Sequence, residues 1–337
     1  MNSKLDALGL AIPERKSRGN QQRLPAGQSD QSLTGPGGEF NVAGVESLEE
    51  ALAHHLSSQT PSLLPLVERI AAASNHDFTV LISGETGTGK TFLARLIHQY
   101  SPRRNHPFLA VPCGAIAGNL VDSELFGHSR GAFTGADRNR VGKFAAAGEG
   151  TLLLDEIDTL GLEQQATILR VVETGEFEPV GSNQTLKCLA RLIVASNVDL
   201  EDAVERGTFR LDLYYRLNVM SFHLPPLSAR VEDIAPLVRR MIARFNCKFK
   251  RDVRDVSAEA VECLEAFPWP GNIRQLENVV QHALLVSTGP DLRFEHLPEV
   301  VRERFCHARQ SSDERVPSGA MDRPMASSKS MVGIDRR

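Results

Sequence analysis

The segment at residues 80–99, VLISGETGTGKTFLARLIHQ, decides the fold of this chain. A short apolar run rich in β-strand formers leads into three glycines, and the residues after them have the periodicity of an amphipathic helix. A strand that turns through glycines into a helix presents backbone N–H groups at a helix N-terminus, where phosphate groups bind. The central residues fit the pattern GxxxxGK[ST] of a phosphate-binding loop: Gly84, Glu85, Thr86, Gly87, Thr88, Gly89, Lys90 and Thr91.

Two residues of this loop carry specific chemistry. We expect the Lys90 side chain to reach the β- and γ-phosphate oxygens and the Thr91 hydroxyl to hold Mg²⁺. The alternative, a glycine-rich turn without a ligand, is disfavoured because every position of the pattern and both flanks agree. The segment therefore predicts a nucleoside triphosphate site in an α/β domain.

The chain after this loop repeats the alternation of strand and helix. Four further apolar runs, HPFLAVP, GTLLLDEI, LARLIVASN and VMSFHLP, are separated by longer amphipathic segments. This rhythm predicts a parallel sheet covered by helices. From about Val231 the strand signals stop, and VEDIAPLVRRMIARFN, SAEAVECLEAF and NIRQLENVVQHALLV predict successive helices. The predicted fold class is α/β, a P-loop parallel sheet flanked by helices and followed by a small helical domain.

The composition changes at both ends of the chain. These ends are polar and rich in Gly, Ser and Pro, and such segments cannot bury enough apolar surface to fold. We predict a disordered leader over residues 1–42, the α/β domain over 43–229, the helical domain over 230–309 and a disordered tail over 310–337. Two helical patterns, ESLEEALAHHLSS and PSLLPLVERIAAAS, precede the first strand.

The overall composition is that of a globular protein. Hydrophobic residues make up 41% of the chain, which suffices for a large core, and a formal net charge of −4 gives no overall attraction to nucleic acid. No run approaches the roughly 20 apolar residues of a membrane span, and the polar N-terminus lacks a signal core. We therefore predict a cytoplasmic protein without membrane contact. The five cysteines are far apart in the sequence and are predicted to be buried thiols.

Polar residues end two of the predicted strands. Asp155 and Glu156 follow GTLLL, where Asp155 is suited to hold a metal ion and Glu156 to orient or deprotonate an attacking water. Asn197 follows LARLIVAS, and its amide could sense the γ-phosphate. Solvated turn residues and a turn-capping asparagine are the simpler interpretations.

Two arginines in FRLDLYYRLNV, Arg210 and Arg216, are six residues apart. Both could project from one subunit edge toward the nucleotide of a neighbour, which would make hydrolysis depend on assembly. Ion pairs on the surface are the alternative.

The loop at residues 127–140, GHSRGAFTGADRNR, places a lone Phe-Thr pair between glycines. It has neither a helical nor a strand period, so the ring is either buried locally or displayed to a partner. The central residues are Gly131, Ala132, Phe133, Thr134, Gly135 and Ala136.

With GETGTGKT, GAFTGA, TLLLDEI, FRLDLYYRLNV and PWPGNIRQLENV in one order, the chain resembles the AAA+ domain of the sigma-54-dependent transcription activators. The likeness runs from about Leu63 to Pro298, and GAFTGA is its most specific motif. The resemblance implies a P-loop ATPase with a helical lid, ATP and Mg²⁺ as ligands, and assembly into a hexamer with ATP between subunits.

The resemblance also implies a role for each candidate site. Residues 131–136 would contact sigma-54, with Phe133 as an apolar anchor, and a second mobile loop at about residues 178–185 would lie beside them. The remaining roles would be Walker A for residues 84–91, Walker B for Asp155 and Glu156, sensor I for Asn197, trans-acting arginines for Arg210 and Arg216, and sensor II for Arg274.

The chain departs from the family's pattern at several positions. Pro112 stands where the family usually has an asparagine thought to pair with the Walker B glutamate, and proline has no side-chain amide. Thr91 replaces a common acidic residue, and Ser228 a usual arginine. Beyond FEHLPEVVRERFCHARQ no helix-turn-helix pattern is found. Three explanations are open: the motor works from solution, its DNA binding is indirect through a related activator in a hetero-oligomer, or the DNA-binding part is lost by truncation.

The expected function is ATP-driven remodelling of the sigma-54 RNA polymerase holoenzyme, which promotes open-complex formation. An AAA+ remodeller of another client is one alternative, disfavoured by the intact GAFTGA. A regulatory subunit that does not hydrolyse ATP and joins a complete activator is another, suggested by Pro112.

Overall fold

The computed structural model describes residues 47–313, with the side chains of residues 308 and 310–313 excepted. The leader predicted over residues 1–42 lies outside these residues, as does the predicted tail beyond residue 313. The strands are β1 (Val80–Ser83), β2 (Phe108–Pro112), β3 (Gly127–His128), β4 (Arg140–Val141), β5 (Thr151–Asp155), β6 (Glu176–Phe177), β7 (Leu186–Lys187), β8 (Arg191–Ser196), β9 (Met220–His223), β10 (Asp255–Val256) and β11 (Asp291–Leu292). The α-helices are α1 (Leu48–Gln59), α2 (Val67–Asn75), α3 (Lys90–Gln99), α4 (Val121–Phe126), α5 (Lys143–Ala146), α6 (Leu162–Thr174), α7 (Leu200–Glu205), α8 (Leu211–Leu217), α9 (Ile234–Phe249), α10 (Ala258–Glu265), α11 (Asn272–Val286) and α12 (Glu299–Asp313).

A parallel sheet of five strands in the order β2-β5-β8-β1-β9 forms the centre of the α/β part. The end of β1 is in register with the end of β8, with Ser83 beside Ser196, and the end of β2 with that of β5, with Pro112 beside Asp155. Because parallel strands end at the same edge of a sheet, the segments that follow β1, β5 and β8 meet there. This edge carries the candidate site.

Alternate residues of the central strands pack into different cores on the two faces of the sheet. On β5, Leu152 and Leu154 belong to one apolar cluster and Leu153 to the other, and all three are fully buried. A strand with both faces covered is apolar throughout, which explains why GTLLLD shows no polar alternation.

A third apolar cluster fills the helical part. Its members are buried side chains between Leu227 and Phe305, most of them from α9, α10, α11 and the start of α12. The indole of Trp269 is 1% exposed there and donates a hydrogen bond to the Leu264 carbonyl at 2.7 Å. The predicted succession of helices is therefore observed. In residues 47–313, no helix is long and apolar enough to cross a membrane.

Two predictions need correction. The pattern at residues 61–74 forms a 3₁₀ turn (Pro61–Leu66) followed by α2, because Pro65 has no N–H to donate to a continuous α-helix. Not all cysteines are buried: Cys188 is half-buried, and Cys247 and Cys306 are exposed because they lie on the outward faces of α9 and α12.

Candidate functional site

The phosphate-binding loop turns through left-handed glycines. Gly84, Gly87 and Gly89 have φ angles of 143°, 81° and 104°, a region that costs other residues about 1–2 kcal/mol. Gly89 is the N-cap of α3, so the helix begins at Lys90. The sequence pattern thus specifies a tight turn that ends at a helix N-terminus.

The Lys90 side chain folds back along the loop. Its Nζ donates to the carbonyl oxygens of Gly84 at 2.6 Å and Glu85 at 2.9 Å, and to Oδ1 of Asn197 at 2.7 Å. Burial lowers the pKa of Lys90, and the nearby charges of Asp155 and the other acidic groups oppose this shift. The ammonium group therefore lies among acceptors at the mouth of the loop.

Thr91 and the acidic pair of β5 meet beside this lysine. The Thr91 hydroxyl donates to Oδ2 of Asp155 at 3.2 Å, so two hard oxygen ligands lie together, as a Mg²⁺ site requires. Glu156 adopts a left-handed backbone, φ 58° and ψ 45°, which turns its side chain out of the strand direction. Such a conformation is uncommon for a residue with a side chain and is frequent at functional sites.

Asn197 connects the two halves of the site. Its Nδ2 donates to Oε1 of Glu156 at 3.3 Å, while its backbone N–H donates to Oδ1 of Asp158 at 3.0 Å. The side chain therefore bridges Glu156 and Lys90. The sequence indicated Asn197 as a candidate but not this double contact.

The helical part docks directly on the phosphate-binding loop at the start of α11. The Ile273 N–H donates to the Gly87 carbonyl at 2.9 Å, and Nδ2 of Asn272 donates to Oε2 of Glu85 at 3.0 Å and to the Thr86 carbonyl at 3.2 Å. A Cβ atom at Gly87 would lie 2.6 Å from the Gly271 carbonyl. Gly87 is therefore needed for close packing as well as for its backbone angle.

A buried arginine that the sequence analysis did not single out supports the same loop from behind. Arg230 is 1% exposed and donates from Nη2 to the Thr88 carbonyl at 2.6 Å. Its Nη1 lies 3.7 Å from Oδ2 of Asp233. The Asp233 carboxylate also accepts from Ser62, at Oδ1 from the backbone N–H and at Oδ2 from the hydroxyl. The signal in the sequence was an arginine three residues before an aspartate at a helix start, in PLSARVEDIA.

A cleft of about 190 Å³ opens between the loop and α11. Arg274 and Asn197 line it, as do the acidic pair and Lys90. Arg210 and Arg216 do not: in this single chain they pair with Asp212 at 2.7 Å and with Glu173 at 3.0 Å on the exposed surface of α8. The full lining is Thr86, Gly87, Gly89, Lys90, Thr91, Asp155, Glu156, Asn197, Ile273, Arg274 and Glu277.

The GAFTGA segment forms the tip of a loop between β3 and β4. Gly131 N–H donates to the Ala136 carbonyl at 2.9 Å, which closes the tip, and Thr134 is exposed. The Phe133 ring is 38% exposed and lies edge-on against the His128 imidazole, with 5.0 Å between ring centroids. The ring is thus neither in the core nor fully displayed.

The second predicted loop lies beside this tip, between β6 and β7. Ser129 N–H donates to the Val180 carbonyl at 3.0 Å, and Val180 N–H donates to the Gly127 carbonyl at 2.9 Å. A Cβ atom at Gly181 would lie 2.6 Å from that of Ala132. The two loops therefore pack against each other without room for an added methyl group.

Position 112 supplies no side-chain amide to the acidic pair, because it is a proline. Pro112 ends the edge strand β2, in register with Asp155. The next residue, Cys113, is buried, and burial followed by the charge of Asp155 raises the pKa of its thiol to about 12. A thiol that remains protonated is not suited to nucleophilic chemistry.

Comparisons with known proteins match both parts of the chain. The family model for a sigma-54 interaction domain matches residues 56–223, and that for an AAA+ ATPase lid domain matches residues 228–314. Similar curated proteins include the regulatory protein AtoC of Escherichia coli K12, 45% identical over 75% of this chain and 55% of that protein. The transcriptional regulatory protein ZraR of Klebsiella oxytoca is 42% identical over 75% of this chain and 60% of that protein. The chain spans about half the length of the curated relatives it matches.

Solved structures show the same architecture. NtrX from Brucella abortus, in complex with ADP, has a TM-score of 0.67 at 30% identity and covers 79% of this chain and 63% of its own. The same protein in complex with ATP has a TM-score of 0.64. Hsp104 of S. cerevisiae, at 18% identity and a TM-score of 0.54 over 70% of this chain and 46% of its own, shares the fold. These likenesses confirm the predicted fold class.

Proposed function

Because the chain belongs to the family of sigma-54-dependent transcriptional regulators, whose activator domain is an AAA+ ATPase, we propose that it hydrolyses ATP to remodel the sigma-54 RNA polymerase holoenzyme and promote open-complex formation. One observation supports this more than any other: a single chain combines the GAFTGA tip with a cleft in which Lys90, Asp155 and Glu156 converge. Relatives whose structures contain ADP or ATP support the same ligand here.

In the proposed binding mode, the backbone N–H groups of the loop and Lys90 hold the β- and γ-phosphates. Thr91 and Asp155 would hold Mg²⁺, whose charge offsets the negative charge that develops on the phosphate oxygens. Arg274, at the start of α11, would bring the helical part onto the nucleotide from the other side of the cleft. Nucleotide binding would thus strengthen the contact between the helical part and the loop.

In the proposed hydrolysis step, Glu156 orients a water molecule and accepts its proton. The water oxygen attacks the γ-phosphorus as the bond to the β–γ bridging oxygen breaks, and ADP leaves with the electron pair. Asn197, within hydrogen-bond distance of both Lys90 and Glu156, is placed to sense the γ-phosphate.

Arg210 and Arg216 are proposed to act on the nucleotide of a neighbouring subunit. Arg210 is the N-cap of α8 and Arg216 lies in its last turn, and neither lines the chain's own cleft, so each would reach a nucleotide only in trans. The assembly would be a homo-hexamer or a hetero-oligomer with a related activator, and any DNA contact would come through that partner. An arginine in trans contributes about 10³–10⁵ in rate, so dilution should reduce turnover per subunit.

The GAFTGA tip is the proposed contact with sigma-54. Thr134 is exposed, and the Phe133 ring packs on His128 rather than in a core, so it can leave this contact without opening a core. Gly131 and Gly135, with φ of 82° and 98°, flank the tip and allow its backbone to bend. Hydrolysis would move this contact surface, since a ligand that binds one loop position better shifts the population toward it.

The test is transcription in vitro from a sigma-54 promoter, with ATP turnover measured in parallel. We expect Phe133→Ala and Thr134→Ala to retain at least about half of the ATP turnover and to abolish open complexes, because the tip lies outside the cleft. Leu189→Ala, an exposed apolar side chain 54% accessible to solvent, is the matched control and should retain both activities. If turnover falls together with transcription in the Phe133 variant, the tip has a structural role and the proposal is wrong.

Pro112 favours a second candidate, a regulatory subunit that does not hydrolyse ATP. A chain of this kind would still bind nucleotide and join a complete activator. Measurable turnover by the isolated chain that disappears in Glu156→Gln would eliminate this candidate.

A further inference from the structure

The exposed side of α9 carries positive charge only. This helix contains four basic residues and no acidic one, and two further basic residues follow it at positions 250 and 251. The whole chain has a formal net charge of −4, so this concentration of cations is local. Five exposed side chains make up what we call the basic surface: Arg240, Arg244, Lys248, Lys250 and Arg251.

Three members of the basic surface form a row along the helix. Arg240, Arg244 and Lys248 follow each other at intervals of four residues, which is a rise of about 6 Å per step. Like charges at this spacing destabilise a helix. The pKa of Arg240 is lowered, first by burial and second by the charge of Arg244. The row is therefore unfavourable for the chain alone, and a bound anion would relieve the repulsion.

Carboxylates neutralise little of this charge. Glu277 on α11 pairs with Arg244 at 2.5 Å. The two acidic residues just after the basic surface, Asp252 and Asp255, pair with other arginines, each at 3.3 Å. Within residues 47–313, four of the five cations thus have no carboxylate within ion-pair distance.

Aromatic rings hold two of these cations without neutralising them. The guanidinium group of Arg240 lies 5.3 Å from the centroid of the Phe92 ring, and the ammonium group of Lys248 lies 5.2 Å from that of Phe249. A ring face attracts a cation but leaves its full charge in place. The side chains are therefore ordered while their charge is available to a partner.

We propose that the basic surface binds the phosphate backbone of double-stranded DNA without reading its sequence. The row of about 12 Å spans about three to four phosphates of one strand, which are regularly spaced at about 3.4 Å along the duplex axis. Guanidinium and ammonium groups are the usual partners of these phosphate oxygens. A single strand fits less well because its bases stack on exposed aromatic rings, whereas Phe92 and Phe249 are half-buried.

This inference goes beyond the proposed function, in which DNA is reached through a partner subunit. The basic surface would add a weaker contact, made by this chain itself, to DNA that the partner holds. No step of the proposed ATP turnover involves these five cations. Failure of this inference would therefore leave the proposed function untouched.

The experiment measures binding of the full chain to a fluorescent duplex of about 30 base pairs that lacks a sigma-54 promoter, by anisotropy at several salt concentrations. Each phosphate contact contributes about −0.9 to the slope of log affinity against log salt concentration. Four unpaired cations predict a slope of about −3.6, so the affinity should fall about 50-fold between about 50 and about 150 mM salt. Lys248→Gln combined with Lys250→Gln leaves two contacts, and the fall should be only about sevenfold.

The matched control is Arg104→Gln combined with Lys187→Gln, which removes two exposed cations that lie after α3 and on β7. It makes the same change in net charge and should keep the affinity and salt slope of the parent. Circular dichroism should show the parent's helix content in both variants, because all four side chains are exposed.

Three results would overturn the inference. The first is an equal affinity and salt slope in the parent and the Lys248/Lys250 variant. The second is an equal loss in the control, because the effect would then come from net charge alone. The third is tighter binding to a single strand of the same length, or to polyglutamate of similar charge, than to the duplex.

Discussion

Replacement of Arg230 by methionine should destabilise the protein far more than the loss of an exposed arginine. Methionine has a similar length but no charge, so Asp233, which is fully buried, would keep only the donors of Ser62. The Thr88 carbonyl would also lose its donor. Removing one partner of a buried pair costs about 3–5 kcal/mol. Because Ser62 still donates two hydrogen bonds to Asp233, we expect the lower end, about 3 kcal/mol.

The acidity of Asp233 gives a second, independent signature. Burial is the largest cause that raises the pKa of Asp233, and the charge of Arg230 opposes it. Without Arg230 this pKa should rise further. A carboxyl whose pKa is raised in the folded state binds its proton on folding, so the penalty of Arg230→Met should shrink as the pH falls through the folded pKa.

Urea denaturation followed by circular dichroism and by the fluorescence of Trp269, the single tryptophan, measures both effects. The control is Arg254→Met, because the Arg254–Asp252 pair is exposed, with 74% and 82% of the side chains accessible. We expect this control to change the free energy of unfolding by less than about 0.5 kcal/mol. A loss below about 1 kcal/mol in Arg230→Met, or one independent of pH, would refute the reasoning.

Three further predictions concern other parts of the molecule. Gly87→Ala should weaken ADP binding about tenfold or more by calorimetry, because a Cβ would lie 2.6 Å from the Gly271 carbonyl at a φ of 81°; unchanged affinity would contradict the packing argument. Pro112→Asn should lower ATP turnover without sigma-54 about twofold or more, since the added amide gives Glu156 a second donor; a higher turnover would argue against a restraining role. Burial lowers the pKa of His98 below 6.5, so the unfolded chain binds the proton more readily and the free energy of unfolding should fall as the pH drops below about 6.5. In urea titrations of His98→Gln, the free energy of unfolding should depend less steeply on pH, and an identical slope would exclude His98 as the cause.

Local patterns were sufficient to predict the elements that carry the site. A strand, a glycine turn and a helix specify the position of Lys90, and the carboxyl ends of parallel strands bring Asp155 and Asn197 to the same edge. These expectations needed only the periodicity of short segments and the geometry of parallel sheets.

Contacts between distant segments could not be predicted in this way. Arg230 meets Thr88 across 142 positions, and Asn272 meets Glu85 across 187. Nothing in the local pattern of either partner specifies the other, because both contacts depend on how the helical part packs. The edge-on packing of Phe133 on His128 likewise depends on the shape of a loop without periodicity.

The docking of α11 and Arg230 on the phosphate-binding loop has a consequence for the polarity of that loop. Each carbonyl oxygen from residue 84 to residue 89 already accepts a hydrogen bond, from Lys90, Asn272, Ile273, Arg230 or the first turn of α3. Each of these peptide carbonyls therefore already has a donor, so the backbone of the loop presents its N–H dipoles to an arriving anion rather than unpaired carbonyl oxygens. Substitutions in the helical part should therefore change the anion affinity of the loop, even where the substituted residue contacts no phosphate oxygen.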